Sequence, residues 1–531
     1  MREPKTLLPQ FRIDGWITTL GPLRIGDGEE SKTRINRTKK DDQPVPVQTV
    51  CADHLGRAYL PGTGLRGFLR ACANARVTNG ALLGALFGYQ KQRKPDEQFA
   101  DAMGGLLTVW DAPADMRNLP RAVAEPFWNG ERATCVASHV ALDRARRTAA
   151  EDLLFFEEYV PAGVRFSATF LLEGGAMNGL GGEDYAAVLL KVLDELKGSE
   201  ARLGACNAAG WGHVEWTLDE VRQLKPESFR AWSANPGTPL LNHYKRVDRP
   251  AAPNQGWWQG GVSDLRFEVN IRLAGPLLVN DPDHSKQKDD PANSEKPNHY
   301  ALRRGENRPA LPASSVHGAL RAQAERIART LAGTRAAELV FDPAALKQGR
   351  PPVVRGVGEL EALDAVSCLF GAPGWRSPLR VTEFDLAPGS AAPEAARQEF
   401  VAIDRFTGGG ADERKFNAEP FAATGAEGFS MHGTIALDLR ALDTLAAARS
   451  APATGEGAMP GWEGVLWLLK YVLRDLEEGD IGFGAGRSKG YGACTATVQM
   501  APIEQFPADP EMAQALRKVF PQTPQARSTA I

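Results

Sequence analysis

The chain contains the same ordered series of short motifs twice, and this duplication limits the possible folds more than any other feature. Each series opens with Gly-Pro-Leu, continues with a Leu-Pro motif and Leu-Phe-Gly, and ends in a glycine-rich loop. The first series comprises Gly21-Pro22-Leu23, residues 60–70, Leu86-Phe87-Gly88 and residues 204–212; the second comprises Gly275-Pro276-Leu277, residues 311–321, Leu369-Phe370-Gly371 and residues 484–492. A repeat of this length indicates a duplicated domain rather than a solenoid.

The length of 531 residues accommodates two copies of ordinary domain size. We therefore predict a first domain at residues 1–222, a linker at 223–262, a second domain at 263–500 and a C-terminal tail at 501–531. Hydrophobic residues make up 43% of the chain and charged residues 24%, which is typical of globular proteins.

Several classes of protein do not fit the sequence. Its apolar stretches are shorter than the roughly 18 residues of a membrane span, and its first residues lack the apolar core of a signal peptide. We therefore expect a cytoplasmic protein that does not associate with membranes. The six cysteines are scattered without a Cys-x-x-Cys pair, so neither structural zinc nor a disulfide framework is expected. The sequence also contains no phosphate-binding Walker loop and no dinucleotide fingerprint.

The two series share local periodicity as well as motifs. Residues 11–20 and 265–273 alternate apolar and polar side chains, which predicts a half-buried first strand in each copy. After each Leu-Pro motif, apolar residues recur at intervals of three and four, which predicts a helix. These residues are Leu65, Phe68, Leu69 and Cys72 in the first copy, and Val316, Leu320, Ala324 and Ile327 in the second.

The order of these motifs resembles that of the RAMP superfamily, the repeat-associated proteins of CRISPR systems. It is most similar to the backbone subunits of type III effector complexes, and to III-D-like variants in which neighbouring subunits are fused. The resemblance implies an α+β fold of two tandem ferredoxin-like βαββαβ domains with long insertions. It also implies a guide (crRNA)-binding subunit that cuts complementary target RNA, with crRNA, target RNA and other effector subunits as its partners.

The start of each motif helix is the first candidate RNA contact. Free amide groups at a helix start, together with a hydroxyl cap, form a phosphate site, and arginines on the same helix could neutralise backbone charge. The candidates are Thr63, Arg66 and Arg70 in the first copy, and Ser314, Ser315 and Arg321 in the second. Simple helix capping with surface arginines is an equally valid interpretation of either copy alone.

The glycine loops are the second candidate RNA contact, because glycine allows backbone amides to approach a phosphate closely. Arg487, Lys489 and Gly490 make the second loop a basic one. The first loop has Asn207-Ala208-Ala209 at the same place and supplies no cation there. We therefore expect the first loop to bind RNA less strongly, or through its amides only. A tight hairpin without an RNA role is the alternative.

A third pair of segments lies in the middle of each copy, at residues 140–144 and 401–408. By resemblance these are the thumb hairpins of the family, which insert into the guide-target duplex and displace bases. Such a wedge needs an apolar tip and arginines near it. Arg144 and Arg405 are the arginines here, and we interpret the preceding Asp143 and Asp404 as structural partners at the base of the hairpin.

By resemblance, catalysis would come from the loop between the first strand and the Leu-Pro motif. Asp42 is the better candidate because it lies in Asp-Gln-Pro-Val, the pattern of subunits that cut. In the second copy Asp290 precedes a proline but lacks the valine, and Asp41 and Asp289 are secondary candidates. A carboxylate could hold a divalent ion, Mg²⁺ or Mn²⁺, or accept the proton of the attacking 2′-hydroxyl. The sequence therefore suggests a metal-dependent endoribonuclease with Asp42 and Asp290 as metal ligands.

Two alternatives remain open from the sequence. The chain could be a non-catalytic scaffold or cap subunit of the same complex, since RNA binding does not require cutting. It could also be a guide-processing endoribonuclease, an activity that commonly depends on histidine. Only His317 lies in one of the duplicated motifs, and Arg66 stands at its place in the first copy. The formal net charge of −3 requires any RNA binding to rely on local basic clusters.

Overall fold

The computed structural model of the chain describes residues 10–33, 45–90, 102–120, 127–143, 148–173, 180–197, 202–258, 264–281, 296–304, 308–332, 354–356, 359–360, 363–448, 462–501 and 519. The helices of this part are α1 (Gly62–Arg76), α2 (Gly80–Phe87), α3 (Gly182–Asp194), α4 (Pro226–Ala234), α5 (Ala313–Ala332), α6 (Ala365–Phe370), α7 (Leu439–Ala448) and α8 (Trp462–Glu478). None of these helices is both long and apolar enough to cross a membrane.

The strands are divided between two repeats, which correspond to the two series of motifs. Those of the first are β1 (Gln10–Thr19), β2 (Gly26–Thr33), β3 (Val45–Val50), β4 (Tyr59–Leu60), β5 (Tyr89–Gln90), β6 (Ala102–Met103), β7 (Leu107–Val109), β8 (Ala112–Pro113), β9 (Cys135–Asp143), β10 (Thr148–Tyr159), β11 (Arg165–Glu173), β12 (Val214–Leu224) and β13 (Lys245–Arg246). Those of the second are β14 (Asp264–Leu273), β15 (His299–Tyr300), β16 (Arg303–Arg304), β17 (Arg308–Pro309), β18 (Leu379–Val381), β19 (Asp385–Leu386), β20 (Glu394–Ala395), β21 (Gln398–Ile403), β22 (Gly410–Glu419), β23 (Phe421–Ala422), β24 (Phe429–Asp438) and β25 (Cys494–Met500).

Each repeat is built on an antiparallel sheet in which the first strand lies in the interior. In the first repeat the order β12-β1-β11-β7 combines with α1 and α3 to give the βαββαβ arrangement of a ferredoxin-like domain. In the second repeat the order β25-β14-β24-β18 combines with α5 and α8 in the same way. The predicted α+β class and the tandem ferredoxin-like architecture are therefore confirmed.

The alternating sequence of the first strand of each repeat produces its alternating burial. Along β1 every second residue is buried, beginning with Phe11, and the same pattern runs along β14 from Leu265. The buried side chains pack against one face of the motif helix, where Leu69 of α1 and Leu320 of α5 are fully buried. The buried residues form two separate large clusters, one in each repeat.

A second, smaller sheet accompanies each main sheet. In the first repeat its strand order is β2-β3-β10-β9, and in the second repeat its described strands have the order β15-β22-β21. In each case the last two strands named form an antiparallel hairpin. These hairpins, β9/β10 and β21/β22, are the segments that the sequence predicted as thumbs.

The region predicted as a linker packs against the first repeat. The β13 strand extends the edge of the first sheet beside β12, and the Tyr244 hydroxyl donates to the Gln10 side chain at 2.9 Å. Farther along, Trp257 and Trp258 contact the core of the first repeat, and the Thr78 hydroxyl donates to the Gly256 carbonyl at 3.0 Å. The linker therefore follows the first domain closely before it enters the second.

The two repeats meet at a junction that involves loops of the first and the sheet edge of the second. The loop at Gly210 packs against β18 and the start of α5, and the Arg440 side chain donates to the Ala75 carbonyl at 2.5 Å. An open cleft of about 470 Å³ lies at the junction, and its lining includes Arg202 and Arg380. Burial, with Arg380 and Arg376 nearby, lowers the pKa of the Arg202 guanidinium to about 10. Charged side chains of both repeats therefore contribute to the lining of this junction.

Candidate nucleic-acid interface

The glycine loop of the first repeat is bonded to the segment that follows β1. It consists of a short 3-10 turn, Asn207–Ala209, between Cys206 and Gly210, which both have positive φ. The Gly212 amide donates to the Pro22 carbonyl at 2.7 Å, and the Ala205 amide donates to the Arg24 carbonyl at 2.7 Å. The Gly-Pro-Leu motif and the glycine loop are thus two sides of one contact.

The second repeat builds the same contact from its own motifs. Its 3-10 turn, Arg487–Lys489, also lies between two residues with positive φ, Gly486 and Gly490. The Gly492 amide donates to the Pro276 carbonyl at 2.7 Å, which matches the bond of the first repeat. A side chain at Gly492 would overlap the Phe483 carbonyl oxygen, so this close approach requires glycine.

Each glycine loop lies against an aromatic pair of the hairpin in the same repeat. In the first repeat His139 of β9 stacks on Phe155 of β10, with ring centroids 5.3 Å apart, and Trp211 of the loop lies 5.9 Å from His139. In the second repeat Phe400 of β21 stacks on Phe416 of β22 at 5.1 Å. The loop and the hairpin therefore form one unit in each repeat.

An aromatic residue of the glycine loop completes this unit in the second repeat as in the first. Tyr491 is buried and lies 6.4 Å from Phe400 in an edge-on arrangement, and its hydroxyl donates to the Gln398 side chain. Sequence reasoning missed the aromatic pairs, although the aromatic residue that follows the loop glycine in both copies, Trp211 or Tyr491, was a signal for them.

The predicted RNA-binding lysine of the second loop lies over the aromatic pair. The Lys489 ammonium is 3.8 Å from the centre of the Phe400 ring and 4.3 Å from that of Phe416. Burial, followed by the charge of Lys489, lowers the pKa of the nearby His299. Arg487 and Gly490 are exposed on the same loop, so the three predicted residues lie together on one surface.

The matching position of the first repeat contains a different set of groups. His139 lies 3.5 Å from the Glu157 carboxylate, and Arg24 lies 3.6 Å from the same carboxylate. Burial lowers the pKa of His139, which favours the neutral ring at pH 7. Burial and the Glu157 charge raise the pKa of the Cys206 thiol to about 11, so this thiol stays protonated and is a poor nucleophile.

The tips of the hairpins differ from the sequence prediction in one respect. Asp143 and Asp404 were both placed at the base of their hairpins. Asp143 is instead the last residue of β9 and pairs with Thr148, the first residue of β10, whereas Asp404 lies at the tip, in the turn between β21 and β22. The Asp404 carboxylate accepts hydrogen bonds from the Thr407 amide at 3.1 Å and the Phe406 amide at 2.7 Å, which lower its pKa. The interpretation of Asp404 as structural agrees with these bonds, since the turn needs them.

The helix starts also differ from the prediction. Pro61 is the residue that precedes α1 and makes no capping hydrogen bond with its side chain, and Thr63 lies inside the helix, so Thr63 is not a hydroxyl cap. Instead the Asp111 carboxylate accepts a hydrogen bond from the Gly62 amide at 2.7 Å. A carboxylate already satisfies part of the positive end of α1, which reduces its attraction for a phosphate. The Ser314 and Ser315 residues lie in the first turn of α5, as predicted.

Two of the predicted arginines bond within the protein. The Arg66 guanidinium donates to the Phe87 carbonyl at 3.2 Å, and the Arg321 guanidinium donates to the Gly371 carbonyl at 3.3 Å. Arg321 also pairs with Glu325 at 3.2 Å, whereas Arg70 is exposed on α1. The first two arginines thus tie the motif helix to the Leu-Phe-Gly segment in each repeat.

The remaining candidates are placed as follows. Asp41, Asp42, Asp289, Asp290 and Arg144 lie outside the described residues. Within the described part, no group of three or more His, Cys, Asp and Glu residues could hold a metal ion. Arg405 is exposed beside the tip of the second hairpin. His317 lies 3.2 Å from the Ser377 hydroxyl and stacks edge-on against Phe370.

Fold and site together define a tandem ferredoxin-like protein with one loop-and-hairpin unit in each half. A family model of the RAMP superfamily matches residues 16–215 and 257–495. The chain therefore belongs to the RAMP superfamily, which confirms the resemblance inferred from the duplicated motifs. The superfamily is associated with CRISPR effector complexes that bind RNA, and it includes some ribonucleases. A search of curated proteins finds no match.

Proposed function

We propose that this chain is a guide-RNA-binding backbone subunit of a type III CRISPR effector complex, of the III-D-like kind in which two subunits are fused. The observation that supports this proposal is that a glycine loop, an aromatic pair and a hairpin recur as one unit in both repeats. Two such units would hold two successive segments of one guide. Fusion fixes their order and raises their effective concentration for each other.

The second loop has the stronger electrostatic attraction for RNA. Arg487 and Lys489 are exposed on it, and their counterparts in the first loop, Asn207 and Ala209, are uncharged. Lys489 covers the Phe400 and Phe416 rings, so a phosphate bound to its ammonium would lie beside an aromatic surface. The first loop would bind through its amides, with Thr63, Arg70 and the helix starts as secondary contacts in the proposal.

The second hairpin has the apolar tip that base displacement needs. Phe406 at the tip is fully exposed, with a relative exposure of 101%, and Val401 and Ile403 are exposed along the same strand. Arg405 adjoins Phe406 and could hold the displaced strand. An apolar side chain inserted between bases replaces part of the lost stacking. Val140 is the exposed counterpart of Val401 in the first hairpin.

The proposed reaction is cleavage of the target RNA opposite each unit. Asp42 is the first candidate for the catalytic carboxylate and Asp290 the second. A divalent ion, Mg²⁺ or Mn²⁺, held by these carboxylates would stabilise the charge that develops on the scissile phosphate. The carboxylate itself would position that phosphate or accept the proton of the 2′-hydroxyl.

The binding part of the proposal is tested with the double variant Arg487→Ala/Lys489→Ala. We expect less RNA to co-purify, and we expect the slope of log K against log salt to fall by about 1.4, since each lost single-strand phosphate contact contributes roughly 0.7. Electrophoretic mobility shifts at several salt concentrations measure both quantities. The matched control is Arg326→Ala/Arg474→Ala, which removes two arginines from helix surfaces. Equal affinity and equal slope in the loop variant would contradict the assignment.

The cutting part is tested with single variants in the assembled complex. Asp42→Ala should remove one product band from a labelled complementary RNA, because the other unit keeps its own carboxylate. Asp290→Ala should remove a different band or none, and chelation of divalent ions should stop every metal-dependent cut. Binding of the target, measured on the same samples, should be unchanged. Wild-type bands from the double variant would assign the chemistry to another subunit and leave this chain as a scaffold.

A further inference from the structure

A second, smaller cleft lies beside the one already described at the junction of the repeats. It has a volume of about 180 Å³ and shares Arg202, Asn207 and Arg380 with its larger neighbour. Both repeats contribute to its lining. Its lysine and arginine residues are Lys197 and Arg202 from the first repeat, and Arg266 and Arg380 from the second. We call these four side chains the junction cations.

The sheet of the second repeat brings two of the junction cations together. Arg266 of β14 and Arg380 of β18 both pair in register with Ala436 of β24, which lies between them. Residues that are paired in register point to the same side of a sheet, so the two arginines flank a methyl group on one face. The nearby Thr382 hydroxyl accepts a hydrogen bond from the Thr434 amide at 2.9 Å and keeps its own hydrogen for a ligand. This face therefore presents two guanidinium groups and a hydroxyl to the cleft.

The first repeat lines the other side of the cleft. Arg202 lies in the segment that leads into the first glycine loop, and His213 follows that loop. The His213 Nε2 lies 2.7 Å from the carbonyl oxygen of Lys197. Burial, followed by the charge of Arg202, lowers the pKa of His213, so this ring is neutral at pH 7. The charges on this side of the cleft are therefore those of Lys197 and Arg202.

The carboxylates of the junction lie beyond the smaller cleft. Asp264 and Asp438 line the larger cleft, where Asp264 accepts a hydrogen bond from Arg380 and Asp438 lies 3.6 Å from the same guanidinium. The Lys197 ammonium is 2.9 Å from the Glu215 carboxylate. Within the part of the chain that the structure describes, the lining of the smaller cleft nevertheless includes no aspartate or glutamate. The charge that faces this cleft is therefore positive.

The arginines around the cleft repel one another. Burial, followed by the charge of Arg380, lowers the pKa of Arg202. Burial also lowers the pKa of Arg266, and the charges of Arg380 and Arg76 add to this effect against that of Glu268. The Nε of Arg380 is itself buried and has no hydrogen-bond partner among the described residues. An anion in the cleft would replace lost solvation, reduce the repulsion between guanidinium groups and accept a hydrogen bond from this nitrogen.

The size of the cleft and its sequence favour a small ligand over a guide strand. At roughly 30 Å³ for each water molecule, the cleft has room for about six waters, which is enough for a phosphate or diphosphate group and too little for a stacked RNA strand. When the two glycine loops are aligned, Gly482 stands at the position of Arg202, and Ala493 at that of His213. A guide contact used by both repeats would recur in both, whereas these two residues occur only at the junction.

We propose that the smaller junction cleft binds a small phosphate-type anion, phosphate or diphosphate, between the junction cations of the two repeats. A guanidinium group matches the oxygens of a phosphate geometrically, and a diphosphate offers oxygens to both sides of the cleft. The bound anion links Arg202 of the first repeat to Arg266 and Arg380 of the second. The proposal does not depend on guide binding or on cutting, because the junction forms within one chain.

The test measures binding of inorganic phosphate and of pyrophosphate to the nuclease-treated, full-length chain by isothermal titration calorimetry at constant ionic strength. We expect one site, with a dissociation constant for pyrophosphate of about 1 mM or lower. Arg202→Gln and Arg266→Gln should each raise this constant about tenfold or more, because each removes a charge-assisted hydrogen bond to the anion. The matched control is Arg272→Gln, which removes an exposed guanidinium from the same face of β14 outside the cleft lining. It should bind pyrophosphate like the wild type.

Two further measurements separate the anion site from a loss of folding and from the guide. Arg202→Lys keeps the charge and should retain most of the binding, and thermal unfolding without phosphate shows whether each variant is folded. A single-stranded RNA with hydroxyl groups at both ends represents the other source of phosphate. At saturation this RNA should leave pyrophosphate binding unchanged, and Arg202→Gln should bind the RNA as the wild type does. The proposal is overturned if the wild type has no anion site, if folded Arg202→Gln and Arg266→Gln bind pyrophosphate like Arg272→Gln, or if the RNA abolishes pyrophosphate binding.

Discussion

At the scale of single residues, the same contacts are made with different side chains in the two repeats. The aromatic pair is His139 and Phe155 in one repeat, and Phe400 and Phe416 in the other. Glycines are kept where backbone segments approach most closely, because no other residue fits there. A side chain at one of these glycine positions would prevent the close approach of the two backbone segments.

Replacement of Gly492 tests this dependence. Gly492→Ala combines a positive φ of 65° with an overlap of the new methyl group and the Phe483 carbonyl oxygen. We expect the free energy of unfolding of the second repeat to fall by about 2–5 kcal/mol. Gly389→Ala is the matched control, since Gly389 has a positive φ of 77° but open space around it. It should cost only about 1–2 kcal/mol in urea denaturation. Equal losses would show that the close approach is unimportant.

At the scale of elements, some features followed from the sequence and others did not. The first strands and motif helices were predicted correctly because burial follows a local period of two or of about 3.6 residues. The Asp111 bond at the start of α1 was not predictable, because Asp111 reaches Gly62 only after β7 has packed beside the helix. Asp404 was misplaced because the pattern showed a hairpin without showing which residues form its turn.

The tie between loop and hairpin gives an element-scale prediction. Lys489→Ala and Phe400→Ala, measured singly and together, should show a coupling free energy of about 0.5–1 kcal/mol. The reason is that the Lys489 ammonium lies over the partly exposed Phe400 ring, which is a cation–π contact. The same cycle with Arg487→Ala in place of Lys489→Ala is the control and should show a smaller coupling. Chemical denaturation of all variants provides the values. Additive losses in the Lys489 cycle would mean that the loop and the hairpin are energetically independent.

At the scale of the whole molecule, two separate cores are joined by a junction whose lining includes charged side chains of both repeats. Leu69 in the first core and Leu320 in the second occupy matching positions of α1 and α5, and both are fully buried. Because apolar packing is confined to each repeat, we expect each to unfold largely on its own. The boundaries predicted from the sequence, 1–222 and 263–500, stay predictions, and separate thermal unfolding of the two repeats would support them.

Matched substitutions in the two cores test this independence. Leu69→Ala should destabilise the first repeat by about 2–5 kcal/mol and lower one calorimetric transition, while the other stays within a degree or two of its original temperature. Leu320→Ala should lower the other transition by a similar amount. If either substitution lowers the temperature of both transitions equally, the junction couples the two repeats into one cooperative unit.

The central position of the first strand has a consequence for how the protein is made. β1 is hydrogen-bonded to both β11 and β12, and β14 to both β24 and β25. During translation the strand that leaves the ribosome first must wait for the last strand of its repeat before its sheet is complete. The first repeat can finish folding while the second is still being synthesised. Translation of a single chain thus produces two folded repeats in a fixed order. They are already linked, so they need not find each other by diffusion as separate subunits would.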